Sequence, residues 1–380
     1  MLILDRYLLR QFLQIFAYCF ISLAGLYIVI DAFNKLDKFN KVTADHGNLF
    51  LVMAQWYGYQ CIGFFDRTSG MLTLIAAMFT IALFQRYNEL IALQAAGVRK
   101  ARIVRTIVIA VIAIVVLAAV NRELIIPIPQ VREHLAGEVQ DLNGTSGRDF
   151  DTRTDRQTDI VISGKHWYAK DNRIEKPAFS LPQELDDYGR QLVAADAYYQ
   201  PADEKNHPSG YLLSGVSLPK NLDTRPSLSL HKRPVIFTPH DHPWLKPGEC
   251  FVASDISFRL LTSGSDWWRY ASVVELIVGL RNPSLDSGAD KRVAIHARIV
   301  QPILDVLLLF LGLPLVLSRY NRNVFFAIGL CVVVVVGFYL VVLGSQYLGS
   351  SYLISPALAA WLPLLVFLPL AAWLSEPLLE

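Results

Sequence analysis

The sequence predicts an α-helical polytopic membrane protein with six spans, set three and three around an inserted all-β domain. Three observations lead there. The 380 residues are 53% hydrophobic and only 18% charged, whereas soluble domains carry about 25% charge. That charge is gathered in one place: 24 of the 33 Asp and Glu, and 21 of the 35 Lys and Arg, lie between Arg122 and His296. Outside this region the chain holds several apolar runs long enough to cross ~30 Å of hydrocarbon, which takes roughly 20 residues.

The first span runs from about Gln11 to Ile30. Its apolar core is too long for a cleaved signal peptide, and no small-x-small site precedes DAFNKLDKFNK, so it reads as a retained anchor. The second covers Met71 to Phe84 and extends back toward Phe64, although Asp66 and Arg67 interrupt its start. The third runs from Ile103 to Val120. After the insert come Ile299 to Leu317, Val324 to Leu343 and Pro356 to Leu374. These spans divide the chain into residues 1–122, an insert of 123–296, and residues 297–380.

Basic residues orient the set, because cytoplasmic loops carry an excess of Lys and Arg. With the N-terminus inside, the cytoplasmic flanks hold Arg6, Arg10, Arg86, Arg99, Lys100, Arg102, Arg105, Arg319 and Arg322. The short outer loop holds only Lys35, Lys38, Lys41 and Arg67. Both termini are then expected inside and the insert outside.

The insert alternates short β-branched or aromatic runs with turn clusters, the pattern of an all-β sandwich or open barrel. The strand candidates are Asp159–Ser163, His166–Ala169, Gln191–Tyr199, Tyr211–Leu218, Val235–Thr238 and Phe251–Leu260. In the last, the two-residue period slips, and a bulge accounts for that. Ser272–Leu280 reads as a helix leading back to the membrane. Of Cys19, Cys61, Cys250 and Cys331, only Cys250 falls in the insert, so no disulfide framework is expected there.

An energy-converting or hydrolytic site is not visible. The sequence lacks G-x-x-x-x-G-K-[ST], H-E-x-x-H and G-x-S-x-G, so neither a phosphate cradle nor a catalytic motif is expected. His240 and His242 flank Asp241 but find no third ligand nearby, which favours a solvated turn over a metal site. No metal and no cofactor is anticipated.

Three polar features remain. Between spans two and three lies RYNELIALQAAGVRKARIVR, in which Tyr87, Leu90, Ile91 and Gln94 are expected on one helical face. Gly97 is placed to end that helix, and basic residues follow, as a helix C-terminus favours. This segment is either an interfacial connector or a docking element with Glu89 as its polar contact. At the outer end of span one, Asp31, Lys35 and Lys38 follow i, i+4, i+7. Either Asp31 and Lys35 neutralise each other, or Lys35, Lys38 and Lys41 attract an anionic headgroup; residue types favour the former. Inside the membrane, ionisable groups usually face the bundle interior. Asp66, Arg67, Arg298 and Asp305 are the candidates, with Asp305 expected to pair with Arg298 or Arg67.

The order of these parts resembles the LptF/LptG (YjgP/YjgQ) permeases of the lipopolysaccharide export ABC transporter. The resemblance covers nearly the whole chain. It rests on RYLLRQFL before span one, ELIALQAAG at Glu89–Gly97, HWYAKDNRI, VAADAYYQ and GYLLSGV in the insert, HARIVQPILDVLLLFLGLPLVLSR, and SPALAAWLPLLVF. It implies a jellyroll-like periplasmic β-domain and an inner-membrane location. The implied partners are a second LptF/LptG-type permease, a cytoplasmic LptB-like ABC ATPase dimer, and an LptC/LptA-like periplasmic jellyroll reached by strand addition. The cargo would be lipopolysaccharide or a similar lipid. Glu89, Leu90, Leu93 and Gly97 would belong to the coupling helix seated on the ATPase, and Lys35, Lys38 and Lys41 would meet the lipid headgroup. Extraction is costly, at about 0.8 kcal/mol per buried CH₂, so a separate energy source is expected. The rival readings are a membrane-anchored scaffold whose β-domain binds a partner without transport, and a lipid-modifying enzyme, disfavoured because no nucleophile and base come together.

Overall fold

The computed structural model describes residues 3–46, 48–137, 148–168, 171–203, 207–230, 233–262, 267–285, 288–317 and 324–379. The side chains of residues 41, 43–46, 148, 186–188, 262, 324–328, 331 and 377–379 are not among those described. The chain forms two units, Met1–Leu135 with Gly288–Glu380, and Ala136–Ser287.

Helix α1 (Ile3–His46) has 44 residues. At 1.5 Å per residue it is roughly 66 Å long, about twice the hydrocarbon thickness. Helix α2 (Leu49–Arg86) starts at Asn48, whose side chain accepts from the Phe50 N–H at 3.2 Å. Helix α3 (Glu89–Ala95) and helix α4 (Lys100–Val120) follow, and α4 continues into a five-residue π-helical turn, Asn121–Ile125. Helix α5 (Pro129–Ala136) closes this part.

The β unit is a single antiparallel sheet of eleven strands among the described residues. They are β1 (Arg148–Asp149), β2 (Arg153–Asp155), β3 (Ile160–Ser163), β4 (His166–Tyr168), β5 (Arg173–Glu175), β6 (Ala178–Ser180), β7 (Gln191–Gln200), β8 (Gly210–Leu218), β9 (Leu228–Leu230), β10 (Arg233–Phe237) and β11 (Glu249–Ala253). Strand β7 is long enough to pair twice along one edge. Its first half meets β6 (Phe179↔Leu192) and its second half meets β5 (Ile174↔Ala197). The sheet therefore forks into two leaves, β2-β3-β6 and β1-β4-β5, while β8, β11, β10 and β9 extend the other edge. Alternation along each strand sends Ile160, Ile162, Ile174, Phe179, Leu192, Tyr211, Leu213 and Val252 into one shared core. Each large side chain buried there contributes roughly 1.5–3 kcal/mol. The Tyr211 hydroxyl, fully buried, donates to the Ile256 carbonyl at 2.8 Å.

Two helices follow the last strand, α6 (Phe258–Thr262) and α7 (Val273–Arg281). The expected strand at Phe251–Leu260 is corrected here. It ends at Ala253, and the period slips because a helix begins at Phe258, not because of a bulge. The register shifts elsewhere, at Ser217 of β8, opposite Val193 and Ala194, and at Val235 of β10. Helix α7 occupies the expected helical segment and is fixed by a capping box, in which Ser272 Oγ accepts from Glu275 N–H and the Glu275 carboxylate accepts from Ser272 N–H. Ala169, the last residue of the expected strand at His166, lies outside the described residues.

Helices α8 (Ala289–Leu317), α9 (Val324–Ser350) and α10 (Pro356–Leu379) complete the helical unit. Among the described residues, six helices are long and apolar enough to cross a membrane: Ile3–Asn40, Leu49–Arg86, Lys100–Ile125, Ala289–Leu317, Val332–Ser350 and Pro356–Glu376. The second span is therefore longer than the apolar run suggests, and α2 passes through Asp66-Arg67 without a break. Helices α2, α4 and α8 bury half or more of their apolar windows, whereas α1, α9 and α10 bury far less. Lipid removes the hydrophobic drive between helices, so close packing of small residues and internal hydrogen bonds must hold them. Helix α2 supplies both. Ser69, Gly70, Thr73, Ala76, Ala77 and Thr80 are buried, and the Thr73 and Thr80 hydroxyls donate to their own helix at Gly70 and Ala76, each at 2.7 Å.

Candidate functional site

The connector between α2 and α4 begins with a forced turn. Asn88 takes a left-handed conformation (φ 55°), which separates α2 from α3. The helix ends in a Schellman motif: Val98 N–H donates to Leu93 O and Gly97 N–H to Gln94 O, both at 3.0 Å, with Gly97 at φ +81°. Leu90 is buried, and Leu93 and Val98 pack on the helical core. Tyr87 and Ile91 are 63% and 62% exposed. The expected common face of Tyr87, Leu90, Ile91 and Gln94 is thus corrected. Tyr87 precedes the Asn88 turn and lies outside α3, and Leu90 points inward while Ile91 points outward.

Glu89 is half-buried, not projecting. The Tyr7 hydroxyl lies 3.4 Å from both of its carboxylate oxygens, and the Tyr7 ring meets Phe84 edge-on at 5.8 Å. Two residues earlier on α1, Asp5 Oδ1 lies 3.4 Å from Arg102 Nε. Asp5 also suits the N-terminal turn of α1, where a negative charge is favourable. The start of α1 is therefore tied to both sides of the connector, to Glu89 before Gly97 and to Arg102 after it. Sequence reading passed over Tyr7 and Asp5. The signal for them was their place in the first turn of a span that begins on the same side as the connector.

At the other end of α1, Lys35 Nζ lies 3.1 Å from Asp31 Oδ1 and 5.5 Å from the centroid of Trp56. The Tyr57 hydroxyl donates to Asp31 Oδ2 at 3.1 Å. Asp31 thus fixes the lysine to α1 and ties α1 to α2. Lys38, one turn on, is half-buried. The Lys41 side chain lies outside the described residues.

The intramembrane groups sort into two sets. Arg122 Nε donates to Asp66 Oδ1 at 2.8 Å, and Asn121 Nδ2 donates to Ile62 O at 3.1 Å. The π-helical turn inserts an extra residue, and the side chains it carries, Asn121 and Arg122, both engage α2. Arg67, the neighbour of Asp66, is exposed. Asp305 is 6% exposed on α8 and accepts from Gln301 Nε2 at 2.8 Å. The expected Asp305 pairing with Arg298 or Arg67 is corrected: a side chain one helical turn away satisfies the carboxylate, and Gly70 of α2 covers it. A Cβ at Gly70 would sit 2.3 Å from Asp305 Oδ1. Arg298 is half-buried one face-length earlier on α8. Arg122 was missed because its partner is 56 residues away. An opposite charge at matching depth in the next span was the available signal.

In the β unit, His240 and His242 part company. His240 Nδ1 is 2.7 Å from Asp241 Oδ1, and Asp241 Oδ2 accepts the Ser227 N–H at 2.5 Å. His242 instead packs at a tilt against Phe237, with centroids 4.9 Å apart. The outermost strands, β1, β2 and β9, are two or three residues long.

A family model described as lipopolysaccharide export system permease LptF/LptG matches residues 6–149 and 151–376. No curated protein matches the chain.

Proposed function

Because the chain belongs to the LptF/LptG family of lipopolysaccharide export system permeases, we propose that it is one of two permease subunits that lift lipopolysaccharide, or a similar amphiphile, out of the inner membrane. The family match along nearly the whole chain carries this reading. The protein is a multi-pass membrane permease and not an enzyme. ATP hydrolysis is assigned to a separate LptB-like ABC ATPase dimer, and the lipid passes from the β unit to an LptC/LptA-like jellyroll.

The connector α3 is the docking element for that ATPase. Tyr87 and Ile91 offer it an exposed surface, while Leu90 and Leu93 anchor the helix and Gly97 ends it. Glu89 acts from within, by coupling α3 to Tyr7 of α1. A push on α3 then reaches α1 through Tyr7–Glu89 and Asp5–Arg102. Some 30 residues further along, α1 carries Lys35, Lys38 and Lys41, which meet the anionic headgroup. Asp31 and Trp56 hold Lys35 in position for that contact.

The proposed orientation sets both termini and α3 in the cytoplasm and the β unit in the periplasm. Arg6, Arg10, Arg86, Arg99, Lys100, Arg102 and Arg105 support it, since all belong to the helix ends that Tyr7–Glu89 and Asp5–Arg102 bring together. Arg319 and Arg322 lie outside the described residues. The short edge strands of the β unit suit a transient strand-to-strand handover.

Reconstitution tests the proposal. Proteoliposomes holding the chain with its ATPase and second permease should release lipopolysaccharide to a soluble acceptor when ATP is supplied. Equal release with a non-hydrolysable analogue would contradict it.

A further inference from the structure

The β unit carries a pocket of about 580 Å³, apolar over much of its lining but polar along one wall, that the transport reading leaves without a role. Its walls come from the β2–β3 turn, the segment entering β8, the start of β10 and the end of β11. One wall is a string of side chains. Gln157 is assigned with its amide nitrogen toward Asp255, because the opposite orientation sets like against like. It then donates to Asp255 Oδ2 at 3.0 Å and accepts from Arg233. Ser209 Oγ donates to Asp255 Oδ1 at 3.3 Å. Beneath this wall, Asp155 is 1% exposed and accepts from Ser254 Oγ at 2.6 Å. Thr158, 8% exposed, also lines the pocket; its hydroxyl oxygen is buried and has no hydrogen-bond partner among the described residues.

The chemistry of this wall narrows the ligand. Arg233 can only donate, and the Asp255 carboxylate can only accept. A bound group must accept at one end of the string and donate at the other. An acyl chain does neither and would strip these groups of water without return. An anion would face Asp155 and Asp255, and a cation would face Arg233. A peptide strand added at this place would meet Pro208 and Pro234, which have no N–H to offer a partner. Neighbouring sugar hydroxyls each donate and accept, and Leu230 and Val235 supply apolar surface for the C–H face of a ring.

We propose that this pocket binds a saccharide, through the string Arg233–Gln157–Asp255. The inference rests on the reading that the cargo is a glycolipid. It adds that the β unit reads the sugar portion as well as sheltering the lipid.

The test uses the full chain with its co-purifying partners in lipid nanodiscs, free of sugar-based detergent. The N-acetylglucosamine disaccharide is the probe, followed by saturation-transfer NMR, with octanoate and inorganic phosphate as controls. The disaccharide should bind and the controls should not. Arg233→Gln, at an exposed position, and Asp255→Asn should each weaken binding about tenfold or more, the loss of a charge-assisted hydrogen bond. Absence of disaccharide binding, preference for phosphate or octanoate, or indifference to both substitutions would overturn the proposal. If the complex still assembles and hydrolyses ATP in that case, the pocket assignment alone has failed. If it does neither, the transport reading has failed with it.

Discussion

The guanidinium of Arg122 meets the carboxylate of Asp66 at 2.8 Å, and joins the π-helical end of α4 to the middle of α2. The two side chains are 20% and 16% exposed, so most of their hydration is gone and each depends on the other. Removing one partner from a fully buried pair costs 3–5 kcal/mol. Discounting for the residual exposure, Asp66→Asn or Arg122→Gln should each destabilise the helical unit by about 2–3 kcal/mol. The double substitution should cost less than the sum. Thermal unfolding of the four proteins in one detergent checks this as a double-mutant cycle, and strict additivity would show that the pair contributes nothing.

Gly70 and Asp305 are in direct apposition, and no side chain fits between them. Gly70→Ala forces the buried Asp305 carboxylate out of its place, or the helix that carries it away, by the overlap of its Cβ with Asp305 Oδ1. Overpacking of this kind typically costs about 1–3 kcal/mol. Gly25 on α1 has open space around its Cβ position, so Gly25→Ala should be neutral or stabilising by up to about 1 kcal/mol. Equal unfolding temperatures for the two variants would refute the close approach.

In the proposed coupling route, Glu89 transmits force through Tyr7 more than it touches the ATPase. Glu89→Arg should therefore uncouple or release the ATPase, because the Tyr7 contact is lost and the charge at that position is reversed. Tyr7→Phe should leave the ATPase bound while reducing lipid-stimulated turnover. Pull-down yield and ATPase rate separate the two effects. An intact complex with unchanged turnover in Glu89→Arg would remove this residue from the coupling route.

The Asp241 carboxyl is held down to about 2 from 3.8, chiefly by the Ser227 N–H and then by His240. A carboxyl lowered on folding contributes stability above its unfolded value and loses it as pH falls through the folded one. The contact between Ser227, just before β9, and Asp241, after β10, should thus remain protected down to about pH 4 and loosen between about pH 4 and pH 2. Hydrogen exchange at Ser227 reads this directly. Asp241→Asn should flatten the pH dependence, and an unchanged profile would dismiss the contact.

Much of the helical unit was legible because a span must be apolar along its length, and that leaves a continuous signal. The ends were less so. Helices α1 and α2 run past their apolar cores, where local capping such as that of Asn48 decides the boundary, and the pair Asp66–Arg122 lets α2 carry a charge through its middle. In the β unit, β3, β7, β8 and β10 announced themselves through β-branched and aromatic alternation. Strands β1, β2, β5, β6 and β9 have two or three residues each, too few for a period to show. The segment after β11 misled because Ile256, Phe258 and Leu261 are apolar in a helix as well as in a strand, and all three are buried. Of the site, the Asp31–Lys35 spacing and the Gly97 stop could be read locally. The Tyr7–Glu89 and Gln157–Asp255 contacts could not, since each joins residues that only the fold brings together.

The central claim is that this permease works as part of an assembly powered from outside its own chain. Purification of the chain from its native membrane in a mild detergent tests this most directly. A P-loop ATPase and a second permease of the same family should co-purify with it in fixed proportion. Isolation of the chain alone, or as an assembly with no ATPase, would contradict the account.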